Sequence, residues 1–366
     1  MGLLKEQLYK VWINYRERGF KEAFNYVYFR NLFKVHNHAI ARLISLWAPY
    51  PPYVEIEIST CCNLKCLMCE HTYWKEPSKN MTYEQFLHIM KQFPKLKWID
   101  ITGIGEGFMN KDYLRMIEYI KSKNIYLELY DPFYFWDKEM SYKMINLGLN
   151  RIQPSFDAAT EKTYNLIRAG SDFHRVVKNL RDFFEVKREL KRKLPEVSFH
   201  FIVSKTNIDE MLSYLDLVKD ISGGQKISVQ YTEVLYGFNE IEDQLIKIPE
   251  TMVSDVDKKA GSLGIKILWN RNVAHKARPD YSQCTLWTMP FIFVTGHVIP
   301  CCGGNEANRR DFQKKYSLGN IFEEDFKTIW KNDNYKQLRK KLRQNRMPIQ
   351  CSNCPAFGNR QSRDNQ

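Results

Sequence analysis

The chain has 366 residues, 44% of them hydrophobic and 27% charged, with a formal charge of +13. That length suits one large core or two to three domains, and that balance excludes a disordered, collagenous or staple-dependent chain. No apolar run reaches the roughly 18 residues a membrane-spanning helix needs, and the opening MGLLKEQLYK lacks the apolar core of a secretory signal, so a cytoplasmic location is expected.

Residues 1 to about 48 read as helices in which Trp12, Phe20, Phe24, Val27, Phe33, Ile40 and Leu43 are interleaved with Lys and Arg. They are expected to pack on the main body; a basic amphipathic segment lying on a membrane surface is the minor alternative. Pro49, Pro51 and Pro52 then break the pattern.

From Tyr53 short strand-like runs alternate with helix-like runs, the pattern of βα units and a parallel sheet. The expected strands are Tyr53 to Ser59, Lys97 to Thr102, Ile125 to Tyr130, Arg151 to Asp157, Val197 to Val203 and Ile227 to Thr232. Helices are expected over Thr82 to Phe93, Lys111 to Lys123, Asp172 to Lys193 and Asn207 to Ile221, with Ser171 as a cap-type residue. The run KRELKRK from Lys187 to Lys193 reads as a solvated helix face, and nucleic acid is not an expected partner.

Within these strands one face is apolar and the other polar. Glu55 and Glu57 alternate with Val54, Ile56 and Ile58; Tyr126, Glu128 and Tyr130 with Ile125, Leu127 and Leu129; Ser198 and His200 with Val197, Phe199 and Phe201. A flat, doubly covered parallel sheet would be apolar on both faces. A sheet curled into a full or partial barrel resolves the conflict, because its polar face lines a cavity; edge strands with one wet face are the alternative. Asp100, Thr102, Arg151, Gln153, Ser155, Asp157, Ser228, Gln230 and Thr232 join that face, so a polar substrate is expected. Glu55, Glu57, Glu128 and His200 are its candidate acid–base groups.

Nine cysteines fall in two groups: Cys61, Cys62, Cys66 and Cys69, then Cys284, Cys301, Cys302, Cys351 and Cys354. Reduced thiols so clustered suggest two metal sites. Cys62, Cys66 and Cys69 have CxxxCxxC spacing directly after the first strand. Zinc would need a fourth ligand, for which His71 is available, whereas an iron–sulfur cluster on three thiolates keeps one iron open. Phe291 to Pro300 reads as a hairpin turning near Thr295 and Gly296, which puts Cys301 at its end. Cys284, Cys301, Cys351 and Cys354 would close a second site, with iron–sulfur or with zinc. Phe326, Ile329 and Trp330 follow at core spacing on a helix.

The segment Cys62-Asn63-Leu64-Lys65-Cys66-Leu67-Met68-Cys69 resembles the cluster loop of the radical SAM superfamily, with Met68 at a position often aromatic there. Thr102-Gly103-Ile104-Gly105-Glu106-Gly107 resembles that family's glycine-rich motif, and the spacing from Cys284 through Gly296 to Cys301 and then Cys351 and Cys354 resembles its SPASM and shortened twitch extensions. The resemblance implies an α/β fold, a partial (β/α)6 TIM-type barrel with an N-terminal helical extension and a small C-terminal cluster domain. The implied segments are 1–50 for the extension, 51–245 for the barrel, 246–280 for a connecting helix and strand, 281–358 for the auxiliary domain and 359–366 for a tail. It further implies a [4Fe-4S] cluster with an open iron on Cys62, Cys66 and Cys69, S-adenosylmethionine (SAM) held by Gly103, Gly105, Glu106, Ser155 and Arg168, and one auxiliary [4Fe-4S] cluster on Cys284, Cys301, Cys351 and Cys354.

The implied chemistry is reductive cleavage of SAM to a 5'-deoxyadenosyl radical, hydrogen abstraction from a small polar substrate or peptide, and a net dehydrogenation in which the auxiliary cluster takes the electron. A flavodoxin or ferredoxin would donate the reducing electron. Maturation of a ribosomally made peptide, a redox-neutral epimerisation using Cys302 or Cys61 as hydrogen donor, and a metal-binding module without chemistry are the alternatives. Otherwise Cys61 and Cys302 are expected to be packing residues.

Overall fold

The structure, a computed structural model, describes residues 2–33, 38–234, 238–271, 280–305, 309–352 and 354; the expected tail at 359–366 lies outside them. Its strands are β1 (Tyr53–Ile56), β2 (Lys65–Cys66), β3 (Trp98–Asp100), β4 (Tyr126–Asp131), β5 (Arg151–Pro154), β6 (Arg168–Ala169), β7 (Glu196–Val203), β8 (Ser228–Glu233), β9 (Lys266–Asn270), β10 (Phe291–Ile292) and β11 (Val298–Ile299). The α-helices are α1 (Gly2–Arg18), α2 (Phe20–Phe33), α3 (His38–Trp47), α4 (Tyr83–Lys91), α5 (Tyr113–Ser122), α6 (Lys138–Leu147), α7 (Glu161–Ile167), α8 (Phe173–Glu189), α9 (Met211–Ile221), α10 (Glu250–Leu263), α11 (Arg310–Lys315), α12 (Phe326–Lys331) and α13 (Asp333–Arg343). They form two compact units, residues 1–61, 76–126 and 273–366 in one and residues 62–75 and 127–272 in the other.

In the first unit β1 pairs in parallel with β3 on one side and with β10 on the other, and β10 turns back into β11. The hairpin expected near Thr295 and Gly296 is present, with Gly296 at φ +85°, a left-handed turn position that suits glycine. Unexpectedly, its first strand adds to the edge of β1, so the auxiliary segment extends the sheet. Asn25 of α2 donates to the Asn124 carbonyl, and the buried Lys121 meets Glu22 at 3.0 Å, which docks the extension. Tyr53, Trp98 and Tyr126 lie at the starts of β1, β3 and β4 and pack with Tyr26 of α2, Trp98 stacking on Tyr126 at 3.8 Å between ring centres. Tyr126, read from alternation as part of a polar face, therefore belongs to an aromatic plug.

In the second unit the parallel order is β4–β5–β7–β8–β9. Val197, Phe199, Phe201 and Val203 alternate along β7 and are buried, as are Val176, Leu180, Phe183 and Phe184 of α8 and Tyr214, Leu215 and Val218 of α9. Local chemistry sets the helix ends. Thr82 and Gln85 form a reciprocal capping box on α4, and α6 and α10 stop at Gly148 and Gly264 in left-handed conformations. Asp172 caps α8 by accepting from Arg175 N–H at 2.9 Å, whereas Ser171, the expected cap-type residue, meets the Tyr164 hydroxyl. Asp172 wins because its side chain stands at the position from which the first free N–H groups are reached.

The six expected strands are all present, three of them shorter than expected, and β9 adds a further parallel strand beside β8. β1 ends at Ile56, not Ser59, because beyond it the backbone turns to loop partners: Met81 N–H donates to Ile58 O and Thr60 N–H to Lys79 O.

Candidate active site

Cys62, Cys66 and Cys69 lie together in the second unit on a loop braced from the α7–α8 connection. β2 pairs antiparallel with β6, Lys65 opposite Ala169 and Cys66 opposite Arg168, and Leu67 N–H donates to Ile167 O at 2.7 Å. Arg168 is buried, and not a surface arginine: its Nε donates to Asp157 at 2.6 Å, Nη2 meets the same oxygen at 2.5 Å, and Nη1 points at Cys66 Sγ from 3.9 Å. Asp157 also accepts from Ile202 N–H, so the end of β7, the guanidinium and the cysteine loop form one network.

Burial pushes the Cys66 thiol up, partly offset by Arg168, and pushes Cys69 up to about 12, a rise to which the neighbouring Cys66 and Cys62 add. These thiols feel one another and stay protonated unless a cation replaces the proton. His71 is buried, and its backbone N–H donates to the Cys69 sulfur. Among the described residues no three His, Cys, Asp or Glu side chains close to the spacing of a single metal ion. Three such thiols on one loop can hold a polynuclear cluster that leaves one iron open, whereas a zinc ion would need a fourth ligand such as His71.

In the first unit the glycine motif packs against the chain leading into the cysteine loop. Gly105 N–H donates to Ser59 O and Glu106 N–H to Cys61 O at 2.7 Å. A Cβ on Gly105 would lie 2.5 Å from Cys61 O and 2.7 Å from Ser59 O, and one on Gly103 would strike the Glu57 side chain, so close backbone approach requires glycine at both. Glu106 is buried and accepts from Phe108 N–H. Glu57, expected as an acid–base candidate on an open face, is instead a buried strut. It meets Arg310 of α11 at 2.9 Å and accepts from Val294 N–H, while Arg310 stacks 3.7 Å from the centre of Phe293.

The second cysteine group gathers in the same unit. Cys301 and Cys354 are buried and flank Gly303, at 3.5 and 4.0 Å from where its Cβ would stand. Burial raises Cys301 first, then its chain neighbour Cys302, and Cys354, Cys284 and Cys351 add to the rise; Cys351 in turn is raised by burial and then by Cys284 and Cys354. Cys284 is pushed up to about 11 by burial, opposed by N–H donation from Leu286 and Trp287. These four thiols therefore converge as a set, held by the hairpin and by Leu318 and Ile321, whose N–H groups donate to Val298 O and Gly296 O.

Cys302 is exposed, contrary to a packing role. Its thiol is raised first by burial of the sulfur among its neighbours and then by Glu55, to which it donates, with Asp100 adding to the effect. Glu55 and Asp100 are register partners on β1 and β3, so the two carboxylates stand side by side on one sheet face with the thiol against them. Sequence alternation found both carboxylates, but nothing in it linked them to Cys302.

The polar face expected across β4, β5, β7 and β8 is present in register. Glu128 stands opposite Arg151, Tyr130 opposite Gln153, and His200 opposite Gln230. Glu128 is tied up by Gln153 at 2.6 Å and Arg151 at 3.1 Å; His200 meets Thr232 at 2.9 Å and bridges to Ser155. Burial lowers His200 to about 4, so the ring is neutral at ordinary pH. Asp131, out of phase with the alternation and therefore missed, is buried at the end of β4, where burial pushes it up to about 7 against hydrogen bonds from Phe133 and Trp136.

The comparisons bear on what these groups hold. A radical SAM superfamily profile matches residues 56–218, and an iron-sulfur cluster-binding SPASM profile matches residues 284–355. The chain is 24% identical over 331 residues, 82% of its length and 86% of the relative's, to a tungsten-containing aldehyde ferredoxin oxidoreductase cofactor-modifying protein of Pyrococcus furiosus. It is 26% identical over 262 residues, 68% of its length and 84% of the relative's, to a probable GTP 3',8-cyclase of Methanocaldococcus jannaschii. Among solved structures it is similar to Streptococcus suis SuiB bound to S-adenosylmethionine, with a TM-score of 0.61, 16% identity and coverage of 79% of this chain and 68% of that one. SuiB has also been solved with its precursor peptide SuiA. At that identity the likeness is one of fold, and it accords with the mostly parallel sheet and partial barrel expected from alternation. A loop of three mutually facing thiols, a second gathering of four, and profile matches over both segments make the chain a radical SAM enzyme with a C-terminal SPASM domain, whose cofactors are a [4Fe-4S] cluster, S-adenosylmethionine and auxiliary iron–sulfur.

Proposed function

We propose that this enzyme oxidises a polar substrate, with Glu55 or Asp100 taking the proton and the auxiliary cluster taking the electron. Cys62, Cys66 and Cys69 would hold the cluster with the open iron; Gly103, Gly105, Glu106, Ser155 and Arg168 are the proposed SAM residues; Cys284, Cys301, Cys351 and Cys354 would hold the auxiliary cluster. Bound there, the cofactors supply a 5'-deoxyadenosyl radical that removes one hydrogen atom and an acceptor for one electron. A carboxylate of the Glu55–Asp100 pair takes the proton of the substrate hydroxyl or amine, so a hydrogen atom, a proton and an electron leave and a C=O or C=N bond forms. The observation that carries this reading is the gathering of Cys284, Cys301, Cys351 and Cys354 in the unit that also holds the in-register carboxylates Glu55 and Asp100, with Cys302, next to Cys301, donating to Glu55. A cluster fully held by protein thiolates has no site for substrate and is suited to electron transfer.

The test is anaerobic reconstitution followed by dithionite and SAM. Cys66→Ala should abolish 5'-deoxyadenosine. Cys284→Ala should retain it while iron content falls by about half, as expected from losing one of two clusters of equal size. Full iron in Cys284→Ala, or unchanged 5'-deoxyadenosine in Cys66→Ala, would defeat the assignment. A flavodoxin or ferredoxin should replace dithionite.

A second reading, modification of a peptide, is supported by SuiB having been solved on this fold with a precursor peptide. Hydrogen return by Cys302, whose thiyl radical would regain one electron from the auxiliary cluster and one proton, would leave the substrate's oxidation level unchanged. In that case product formed in D2O carries deuterium at the reacting carbon and Cys302→Ala loses it; oxidation predicts no deuterium and a product two mass units lighter than the substrate.

A further inference from the structure

The chemistry above makes no use of the N-terminal helices, which were expected to pack their apolar side chains on the main body. Only part of them does. On α3, Ala41, Ile44 and Ser45 are buried, while Leu43, Leu46 and Trp47 on the other side are 65%, 63% and 78% exposed. In the hairpin of α1 and α2, Trp12 and Phe24 are 46% exposed and Phe20 is 73% exposed, with Phe20 and Phe24 stacked at 6.2 Å. Scattered exposed apolar residues are ordinary, but large side chains gathered on short helices mark an interaction surface.

Charge indicates what covers it. Residues 1–50 carry eight Lys and Arg against three Glu and no Asp. Lys97 holds its ammonium 5.4 Å from the centre of the Phe24 ring and 5.9 Å from Tyr28; Lys21 and Lys95 crowd it closely enough to lower its pKa further, after burial. Lys21 donates to the carbonyl of Lys123, which brings that residue to the same place. Arg16 lies 5.2 Å from the centre of Trp12. A dense set of cations around exposed aromatic rings repels itself in water, and an apolar partner alone would leave it uncompensated.

We propose that α1, α2 and α3 form a docking surface for the anionic face of a lipid bilayer, with the exposed aromatic and leucine side chains entering the headgroup boundary and the Lys and Arg around the α1–α2 hairpin pairing with lipid phosphates. An interface with anionic headgroups over an apolar layer satisfies both features at once, and Trp at such a boundary keeps its ring in the apolar layer and its N–H in the wet one. Among the described residues no helix is long and apolar enough to cross the membrane, so the association is peripheral.

The experiment is cosedimentation of the full, anaerobically reconstituted chain with vesicles of phosphatidylcholine alone or with about one-third phosphatidylglycerol, in about 0.1 and 0.5 M NaCl. Binding is expected to the anionic vesicles only, weakening at least about tenfold at the higher salt, with a blue shift in tryptophan emission. Leu43→Ser/Trp47→Ser and Lys95→Glu/Lys123→Glu should each weaken binding at least about fivefold, because they remove the apolar and the electrostatic component separately. All four positions are on the surface, so both variants should retain the wild-type melting temperature and 5'-deoxyadenosine yield. Equal binding to neutral vesicles, no binding, or wild-type binding by either variant would overturn the proposal. So would a concentration-dependent dimer that Leu43→Ser/Trp47→Ser dissolves in a chain that ignores vesicles, since a second copy would then cover the patch.

Discussion

Replacing Arg310 by Met tests whether Glu57 is a strut. Glu57 and Arg310 have side chains 1% and 4% exposed and meet at 2.9 Å, so removing the guanidinium leaves a carboxylate buried without its countercharge. Breaking such a pair from one side costs about 3 to 5 kcal/mol. With an unfolding entropy of about 2.1 cal/mol/K per residue over 366 residues, that corresponds to a melting temperature lower by about 4 to 6.5 °C. Burial raises Glu57 above its ordinary value of 4.5, and Arg310 is the largest influence pulling it back, so in the variant the carboxyl rises further. A raised folded pKa means stability that is fully present below about 4.5 and is lost as pH rises through the folded value. The deficit of Arg310→Met should therefore be smallest in acid and widen toward neutral pH. Thermal melts of the reconstituted protein between pH 4.5 and 8 measure it, and Glu57→Leu/Arg310→Met should recover most of the loss, because an apolar pair of similar volume replaces the ions. A deficit below about 1 kcal/mol, or one independent of pH, would refute the argument.

Three further outcomes rest on other contacts of the structure. Gly105→Ala forces a Cβ against Cys61 O and Ser59 O, so it should cost about 1 to 3 kcal/mol and raise the SAM concentration for half-maximal 5'-deoxyadenosine formation. Glu22→Gln leaves the buried Lys121, which burial already lowers to about 8, without its countercharge at 3.0 Å; a loss of about 3 kcal/mol in urea unfolding is expected, whereas a neutral result would mean the extension is only loosely docked. His200 is lowered by burial to about 4 from 6.5, so wild-type stability is full above 6.5 and declines by at most about 3 kcal/mol as pH falls to 4. In His200→Gln that part of the acid slope should vanish, and parallel pH profiles for the two proteins would show that the ring is not shielded.

The partial barrel was legible because Glu55, Glu128, His200 and Gln230 alternate with apolar neighbours, and a parallel sheet tolerates that only when it curls. Both cysteine sets were legible because reduced thiols at short spacings have few other uses. The partners of the polar groups were not legible. Alternation reports which side of a strand a residue occupies, not whether a distant Arg310 takes Glu57 out of play or whether Cys302 comes to rest on Glu55. Asp131 was missed for a related reason: it follows the last residue that obeys the period. The exposed side of α3 was read only as the minor alternative, because an amphipathic pattern assigns the apolar residues to the interior, and here the small residues Ala41 and Ser45 took that side with Ile44.

The seat of β10 alongside β1 bears on how such a protein can be cut. Residues 55 and 56 hydrogen-bond to the same ladder as Phe291 and Ile292, so the C-terminal segment caps the sheet sideways. A gene shortened ahead of Phe291 would expose the raw flank of β1, the kind of unpaired edge that recruits strands from other chains. The catalytic half cannot be harvested as a free-standing piece, and any exchange of C-terminal modules between relatives has to carry this strand with it.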